Sequence, residues 1–438
     1  MTRVDKQDQR THTTHICCIG AGYVGGPTSA VISAKCSEIT VTVVDKDAER
    51  IAAWNSDNLP VYEPGLDSLV KKQRTKNLLF STDIKSAVDR AQMIILAVNT
   101  PSIAADTTLG SESPRGLQTD LRAVKQCAQM IAEVSLESKI VVGKSTVPCG
   151  TSRMVQEILD KNARGGVEFT VLSNPEFLSE GSAIQDLLFP DRVIIGGSAQ
   201  DANSQWAQSE LKWIYQHWVP EHKILTMDRW SSELAKLSSN AMLAQRVSSI
   251  NSISAICEIV GADITQVAAG CGADSRVGSM FLRASLGFGG SCFHKDIASL
   301  VWLCQSLGLP EIAEYWRQVL AINGLQTKRF VSRILDTFAS SPKGICGKRV
   351  ACLGFSYKEG TGDTRNTPAA DVCRELIRYG AHLSIFDPKV SEHHILEKLD
   401  TGADSVQICE DPYSAISESD AVIVLTAWAE FREIDWKR

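Results

Sequence analysis

The chain has 438 residues, more than one ordinary domain holds, so two or three domains are expected. Hydrophobic residues make up 44% and charged residues 22%, which is typical of a globular protein with large cores. The net charge of −6 gives no electrostatic reason to expect nucleic acid or an anionic membrane as a partner. The polar start does not resemble a signal peptide and no apolar run reaches membrane-span length, which predicts a soluble, cytoplasmic protein.

The thirteen cysteines include no C-x-x-C pair, so the sequence predicts neither a disulfide frame nor a metal site. Several lie inside apolar runs, as Cys17, Cys18 and Cys352 do, where a thiol behaves as a small buried hydrophobe. A cysteine that does chemistry must therefore be identified from its surroundings.

The first half of the chain alternates β-rich runs with helix-like segments, which is typical of a parallel sheet covered by helices. From Ser231 to Val260 there is no Gly or Pro and apolar residues recur at helical spacing, which predicts one long helix. From about Lys348 the alternation resumes, with a helix predicted over Pro368–Tyr379. The strands predicted in the first half are Ile16–Ile19, Ile39–Val44, Met93–Val98, Ile140–Gly143, Thr170–Leu172 and Val193–Ile195.

The predicted fold class is therefore α/β, with two Rossmann-like doubly wound domains joined by a central helical domain that contains one long helix. No internal repeat or low-complexity stretch stands out beyond the two loosely similar α/β halves.

The first strand leads into a dinucleotide fingerprint, in which Gly20, Gly22 and Gly25 form a G-x-G-x-x-G pattern. The first glycine permits a tight turn, the second lets the backbone approach a pyrophosphate, and the third packs the helix whose N-terminus faces the anion. The next strand ends in Asp45, where a carboxylate binds an adenosine ribose and repels a 2′-phosphate. Glycine clusters also form ordinary turns, but the combination predicts NAD.

A second candidate feature is Cys292, which follows a loop containing Gly287, Gly289 and Gly290 and precedes a helix-like stretch. The positive end of a helix dipole stabilises a thiolate, so this cysteine is a candidate nucleophile. A buried thiol after a flexible loop is the alternative.

Polar residues elsewhere are weaker candidates when each is taken alone. Lys236 and Asn240 are four residues apart and share one helix face, where a lysine could stabilise a developing alkoxide. Glu176 and Glu180 follow a strand at the edge where α/β ligands bind, and Asp296 lies four residues beyond the cysteine. The alternatives are an ordinary helix surface, solvated loop carboxylates and a first-turn helix acid.

Taken together and in this order, the segments resemble the UDP-glucose/GDP-mannose dehydrogenase family, with matches from about residue 15 to the C-terminus. The segments that carry the resemblance are GAGYVGGPTSAVIS, YEPGLDSLV, VNTPS, KSTVP, SNPEFLSEG, WSSELAKLSSNAMLAQRVSSINSISAICE, SLGFGGSCFHKD and LGFSYKEGTGDTRNTPA. The resemblance implies that UDP-glucose is oxidised to UDP-glucuronate by two NAD through a thiohemiacetal and a thioester on a cysteine. It also implies a homo-oligomer, a dimer or a hexamer.

The resemblance further implies a division into four parts. These are a polar tail over 1–14, an NAD-binding domain over 15–228, a central domain for catalysis and dimerisation over 229–339, and a UDP-sugar-binding domain over 340–438.

Individual roles follow from the same resemblance. It implies that Cys292 is the nucleophile, with Lys236 and Asp296 as its catalytic partners. It also implies that Asn240 contacts the oxyanion and that Glu176 handles protons or water. The residues implied in catalysis are Cys292, Lys236, Asp296, Asn240, Glu176 and Thr146, the last of which positions the catalytic water. The residues implied to hold NAD are Gly20, Gly22, Tyr23, Val24, Gly25, Asp45, Thr100, Thr146, Glu180 and Arg365. The residues implied to hold the UDP-sugar are Glu176, Phe177, Leu178, Lys236, Asn240, Phe281, Arg283, Phe288, Gly289 and Lys358, with Arg276 reaching from a neighbouring subunit.

The chain departs from the family pattern in three places. The loop after Pro101 is altered, Glu359 adds an acid beside the expected UDP pocket, and the chain ends at Arg438, before an arginine motif that members carry. Three alternatives therefore stay open. One is a dehydrogenase of another nucleotide sugar, such as UDP-N-acetylmannosamine or GDP-mannose, and another is a β-hydroxyacid dehydrogenase. The third is a non-catalytic relative that binds NAD or UDP-sugar.

Overall fold

The computed structural model describes residues 12–101, 119–400 and 405–436. Most of the tail predicted for residues 1–14, most of the altered loop after Pro101 and the last two residues lie outside this part. Contacts divide the chain into two units, Met1–Leu237 and Ser238–Arg438, and the division falls inside one long helix.

The first unit is built on one sheet with the strand order β3-β2-β1-β4-β5-β6-β7-β8. Its strands are β1 His15–Ile19, β2 Thr40–Val44, β3 Leu78–Ser81, β4 Met93–Leu96, β5 Lys139–Gly143, β6 Phe169–Ser173, β7 Val193–Gly197 and β8 Ile224–Asp228. The inner strands are nearly continuous apolar runs because helices cover both faces of the sheet. Neighbours are parallel except β6 and β7, which pair antiparallel.

All six strands predicted in this half are present, whereas β3 and β8 were missed. Both are edge strands, and each carries exposed apolar residues, among them Leu79 and Leu225, so neither shows the continuous apolar run of a buried strand. The helices of this unit are α1 Gly25–Lys35, α2 Ala48–Trp54, α3 Leu66–Arg74, α4 Ile84–Arg90, α5 Arg122–Val134, α6 Thr151–Asn162, α7 Ala183–Leu188 and α8 Ala202–Gln216.

The long helix α9 covers Arg229–Val260, two residues more at its start than predicted. It begins there because Asp228 caps it: its carboxylate accepts the backbone N–H of Ser231 at 2.9 Å and the Ser231 hydroxyl at 2.6 Å. In the described part of the chain, no helix is both long enough and apolar enough to span a membrane.

The second unit contains a smaller parallel sheet with the order β11-β10-β9-β12. Its elements after α9 are α10 Ile264–Gly272, α11 Phe293–Ser306, α12 Pro310–Thr337, β9 Arg349–Leu353, α13 Pro368–Arg378, β10 His382–Phe386, α14 Glu392–Leu399, β11 Val406–Ile408, α15 Pro412–Ile416 and β12 Ala421–Val424. The predicted helix over Pro368–Tyr379 is α13, in which Pro368 takes the first position because its missing N–H has no intrahelical partner there.

The strand order reverses in both sheets next to the first strand of each unit. In the first unit β1 lies between β2 and β4, and ligands of open α/β sheets bind at the carboxyl edge beside such a reversal. The candidate cofactor residues follow these strands. The fold is therefore the predicted α/β class, with two Rossmann-like sheets and a helical segment between them in the chain.

Candidate active site

The turn after β1 requires glycine where the chain passes closest to its neighbours. Gly20 has φ of 110°, and a Cβ there would come within 2.4 Å of the Ala97 carbonyl oxygen after β4. A Cβ on Gly25 would meet the Gly20 carbonyl oxygen at 1.9 Å. A Cβ on Gly22 would have nothing within 4 Å, so this glycine faces open space at the start of α1. The turn therefore leaves room for a phosphate group beside a helix N-terminus.

Asp45 lies at the end of β2, beside this turn. Its carboxylate accepts the backbone N–H of Ala21 at 2.9 Å and that of Asp47 at 3.1 Å, and Arg50 approaches at 3.3 Å. These contacts orient the acid toward the glycine turn while its remaining lone pairs stay available for hydroxyl groups. The open space at Gly22 and the adjacent acid together fit a dinucleotide such as NAD.

Glu63 connects two loops in this region, and the sequence did not predict this role. Its buried carboxylate accepts the Tyr23 hydroxyl and the backbone N–H groups of Gly181 at 2.7 Å and Ala183 at 3.1 Å. Glu63 therefore joins the glycine turn to the loop after Glu180. The Glu180 side chain is half-buried. In the sequence, Glu63 lies in the YEPGL segment, which indicated a functional role only through the family resemblance.

A buried ion pair lies at the carboxyl ends of β5 and β6. Glu176 Oε1 is 3.2 Å from Lys236 Nζ, and the two side chains are 8% and 5% exposed. The Thr146 hydroxyl donates to the same oxygen at 3.1 Å, and Thr100 donates to the Thr146 carbonyl at 2.8 Å. The structure thus brings together four residues predicted separately from the sequence.

Glu176 stays ionised although it is buried. Burial by itself would raise the pKa of this carboxyl, but the Lys236 charge, the backbone N–H of Leu178 at 2.7 Å and the charge of Lys144 outweigh it, so its pKa lies below the ordinary value. Phe177 packs beside the pair, with Lys236 Nζ 5.2 Å from the ring centre and Arg192 stacked on the ring at 3.8 Å. The result is a carboxylate that can accept a proton next to an ammonium group.

The second unit holds the candidate nucleophile. Cys292 is the N-cap residue of α11 and is exposed, and its sulfur lies 3.6 Å from the Ser291 hydroxyl. One turn later Asp296 is fully buried and accepts the Asn240 amide at 2.6 Å. The structure therefore joins the predicted Asn240 and Asp296 and sets the thiol at a helix N-terminus.

The glycine loop before Cys292 is held by residues that the sequence did not single out. Asn323 of α12 accepts the Phe288 N–H at 2.8 Å and donates to the Phe288 carbonyl at 3.0 Å. On the other side Asn366 donates to the Gly290 carbonyl at 3.0 Å. A Cβ on Gly289 would come within 2.6 Å of the Asn366 carbonyl oxygen, so the loop cannot carry a side chain there. Asn323 and Asn366 lie 35 and 76 residues from their partners in the loop, so no local sequence pattern identifies them.

The remaining predicted sugar and cofactor residues of this unit lie near or on the same loops. Phe281 adopts φ of 62° and faces Phe293 at 6.5 Å, while Arg283 is exposed. Lys358 is half-buried beside the Tyr357 ring. Arg365 pairs with Asp363. Arg276, whose side chain is 88% exposed, pairs with Asp274 at 2.7 Å. In the first unit, Val24 is the N-cap residue of α1 and makes no side-chain capping hydrogen bond.

The turn after β9 resembles the turn after β1, but the backbone N–H groups of the second turn are bound by a carboxylate of the chain, that of Asp387. Gly354 donates to the Phe386 carbonyl, just as Gly20 donates to Val44. Asp387 after β10 accepts the backbone N–H groups of Phe355 and Ser356 at 2.6 and 3.0 Å, and the Trp428 indole at 3.2 Å. It thus differs from Asp45, because its acceptor sites are filled by protein donors.

The Glu359 carboxylate accepts the Ala429 N–H at 2.8 Å and so caps a short 3₁₀ helix, Ala429–Arg432. The added acid thus has a local structural partner.

Three domain models of one family match the chain. The NAD binding domain of the UDP-glucose/GDP-mannose dehydrogenase family matches residues 14–219, its central domain residues 230–324, and its UDP binding domain residues 351–438.

Individual relatives agree with this match. The UDP-glucose 6-dehydrogenase of Drosophila melanogaster is 50% identical over 432 residues, which are 97% of this chain and 89% of the relative. UDP-glucose 6-dehydrogenase 4 of Arabidopsis thaliana is 50% identical over 440 residues, with the same coverage of both chains. Among solved structures, a UDP-glucose dehydrogenase from the hyperthermophilic archaeon Pyrobaculum islandicum is 30% identical, with a TM-score of 0.85, and the match covers 98% of this chain and 93% of that one.

Proposed function

The chain belongs to the UDP-glucose/GDP-mannose dehydrogenase family, and from this premise we propose that it oxidises UDP-glucose to UDP-glucuronate with two NAD. The observation that carries the proposal is the position of Cys292, exposed at the start of α11 and one turn before the buried Asp296. A two-electron alcohol dehydrogenase has no use for such a thiol, whereas a four-electron oxidation needs a nucleophile that holds the aldehyde.

In the first oxidation the C6 hydroxyl of the substrate releases its proton to water and the C6 carbon gives up a hydride, so that C6 becomes an aldehyde. The Lys236 ammonium stabilises the negative charge that develops on the oxygen. NAD, when bound, accepts the hydride in each of the two oxidations. The residues that would hold it are those of the Gly20–Gly25 turn together with Asp45, since the turn leaves open space at Gly22.

The Cys292 sulfur then adds to the aldehyde carbon, a C–S bond forms, and the carbonyl oxygen takes up a proton to give a thiohemiacetal. An amide has two N–H donors; Asn240 uses one on Asp296, and its second is proposed to meet the substrate oxygen. Loss of that hydroxyl proton and of a second hydride from the carbon leaves a thioester on the cysteine.

Water closes the cycle by hydrolysis. The Thr146 hydroxyl donates to Glu176, so its own oxygen remains able to accept a water O–H and to aim that water. Glu176 takes the water proton as the water oxygen bonds to the thioester carbon. The C–S bond then breaks, the carboxylate is released, and the Cys292 thiolate is regenerated.

The domain assignment is part of the proposal. Residues 15–228 would bind NAD, 229–339 would provide the central catalytic segment, and 340–438 would bind the UDP-sugar. We assign Phe281, Arg283, Phe288, Gly289 and Lys358 to the UDP-sugar.

Self-association is also proposed, with the protein acting in the cytoplasm. The second unit exposes apolar residues on α9, and Ile253, Ile256 and Val260 recur at the spacing of one helix face. These three side chains and that of Ile259 are 38 to 87% exposed. Exposed apolar side chains that cluster on one surface are typical of protein interaction sites. Arg276 is exposed in the same unit and is the residue proposed to reach a partner's site.

The test is the yield of NADH per sugar. Purified protein incubated with NAD and limiting UDP-glucose should form about two NADH per UDP-glucose, because each substrate is oxidised twice. Cys292→Ala should lose the second NADH and the glucuronate, whereas the exposed Cys271→Ala should match the native chain. One NADH per sugar, or full turnover in Cys292→Ala, would refute the thioester route. Parallel assays with UDP-N-acetylmannosamine and GDP-mannose test the choice of sugar.

A further inference from the structure

The loops after β5 and β6 are joined by two successive side-chain contacts. Main-chain pairing ends at Gly143 and Ser173, and one more backbone bond joins Asn174 N–H to the Gly143 carbonyl at 2.8 Å. Beyond it, Lys144 Nζ donates to Asn174 Oδ1 at 3.0 Å, and two residues further along both loops the Thr146 hydroxyl donates to Glu176 at 3.1 Å. The side chains thus continue the register of the sheet.

The Lys144–Asn174 contact has more buried hydrogen-bond partners than the Thr146–Glu176 contact. Lys144 is 4% exposed, and its ammonium donates to the Tyr215 hydroxyl of α8 at 3.1 Å as well as to Asn174. Tyr215 donates to the same Asn174 oxygen at 2.7 Å, while the Asn174 amide donates to the Ile194 carbonyl of β7 at 2.7 Å. Asn174 is therefore fixed from β5, β7 and α8 at once.

Within the described residues no carboxylate lies within 4.0 Å of Lys144, although its neighbours are buried. A buried ammonium without an ion-pair partner is costly, so it is retained only where its charge or its hydrogen bonds are needed. The charge of Lys144 acts on Glu176, whose pKa it helps to lower together with Lys236.

We propose that Lys144 is a positioning residue for thioester hydrolysis, which acts through Asn174 on the loop that presents Glu176. The inference rests on the proposed function, because it assigns Glu176 to the hydrolytic step. Lys144 has two effects there. It fixes the backbone two residues before Glu176, and it adds a second positive charge behind the carboxylate, whose other neighbours are Lys236, the Thr146 hydroxyl and the Leu178 N–H.

The test is a pH profile of hydrolysis in Lys144→Met, which keeps the length of the side chain and removes its charge. Thioester on Cys292 is trapped by rapid acid quench and counted by protein mass, while NADH reports the oxidations. Without the second charge the pKa of Glu176 should rise, so the acid limb of the hydrolysis rate should move to higher pH. Below the shifted limb the thioester should accumulate and turnover should fall several-fold.

Lys139→Met is the matched control, because Lys139 is also a buried lysine and lies at the start of β5, whereas Lys144 directly follows the strand. Lys139 donates to the backbone carbonyls of Asp89 and Ala91. It lies at the opposite end of the strand, about 16 Å away at 3.3 Å per residue. It should lose stability but keep the native pH profile. Tyr215→Phe, which leaves the Lys144 charge in place, should keep the acid limb.

If Lys144→Met does not fold, Lys144→Gln retains a donor to Asn174 and is measured instead. An acid limb identical to that of the native chain in a folded neutral variant overturns the proposal, and so does an equal displacement in Lys139→Met. Failure of the proposed function gives a different result, since the native chain itself would then form no thioester.

Discussion

At the scale of single residues, the Glu176–Lys236 pair combines low exposure with retained charge. Burial opposes ionisation of Glu176, yet the ammonium of Lys236 and the N–H of Leu178 lower its pKa below the ordinary value of 4.5. A group whose folded pKa is lowered contributes stability above its unfolded pKa, and this contribution is lost as the pH falls through the folded pKa. The contribution of this buried pair to the free energy of unfolding therefore depends on pH.

We therefore predict that Glu176→Gln lowers the melting temperature at neutral pH, because it leaves the Lys236 ammonium buried without a counter-charge. The difference from the native chain should be fully present above the ordinary carboxyl pKa of 4.5 and should narrow as the pH falls below it, because the native carboxylate then becomes protonated as well. Differential scanning calorimetry across this range measures it. Glu157→Gln, at an exposed site, is the control; a difference that stays constant with pH would contradict the linkage.

At the scale of elements, α12 and the segment before α13 hold the glycine loop in place. The loop itself has few side chains, so its shape depends on Asn323, which pairs with both backbone groups of Phe288. Gly287 lies so close to this amide that a Cβ would come within 2.6 Å of its oxygen. The loop before the candidate nucleophile is thus held by Asn323, which lies 35 residues beyond Phe288 in the chain.

Asn323→Ala should release this loop. Two buried backbone groups would lose their partner, which should lower the free energy of unfolding by about 2 kcal/mol, and KM for UDP-glucose should rise more than KM for NAD. Denaturant unfolding and steady-state kinetics measure the two effects. Lys328→Ala, exposed on the same helix, serves as the control. Equal changes in both KM values would show that the loop does not serve the sugar.

At the scale of the whole molecule, the exposed apolar face of α9 is the feature that a single chain leaves unexplained. Ile256 and Ile259 are 56% and 87% exposed, and a patch of this kind is usually covered by another protein surface. Because most soluble oligomers are built from identical chains, a second copy is the expected cover.

Ile256→Asp should therefore shift the protein toward monomer, since a buried carboxylate on each side of a symmetric interface is strongly unfavourable. Sedimentation velocity at several concentrations measures the shift, and activity should fall with it if Arg276 completes a partner's site. Phe189→Asp introduces the same charge at a residue 74% exposed in the first unit and should leave the association unchanged. A native chain that is monomeric at all concentrations would contradict the proposed oligomer.

The sequence by itself determined the features that depend on local pattern. Apolar runs identified the inner strands, the absence of Gly and Pro over Ser231–Val260 identified α9, and glycine spacing with Asp45 identified the dinucleotide turn. These signals are local because a strand, a helix and a tight turn are each set by neighbouring residues. The edge strands β3 and β8 were not predicted, because they lack the continuous buried apolar run of an inner strand.

Only the tertiary structure decided which polar residues support the site. Lys144 and Tyr215 are separated by 71 residues, Glu63 and Gly181 by 118, and Asn323 and Phe288 by 35. Side chains so far apart meet only after the sheets have formed, and one amide, lysine or acid in a chain looks like any surface residue until its burial is known. The sequence thus identified the candidate chemical groups, and packing alone determined what holds them, because a hydrogen bond depends on distance in space rather than along the chain.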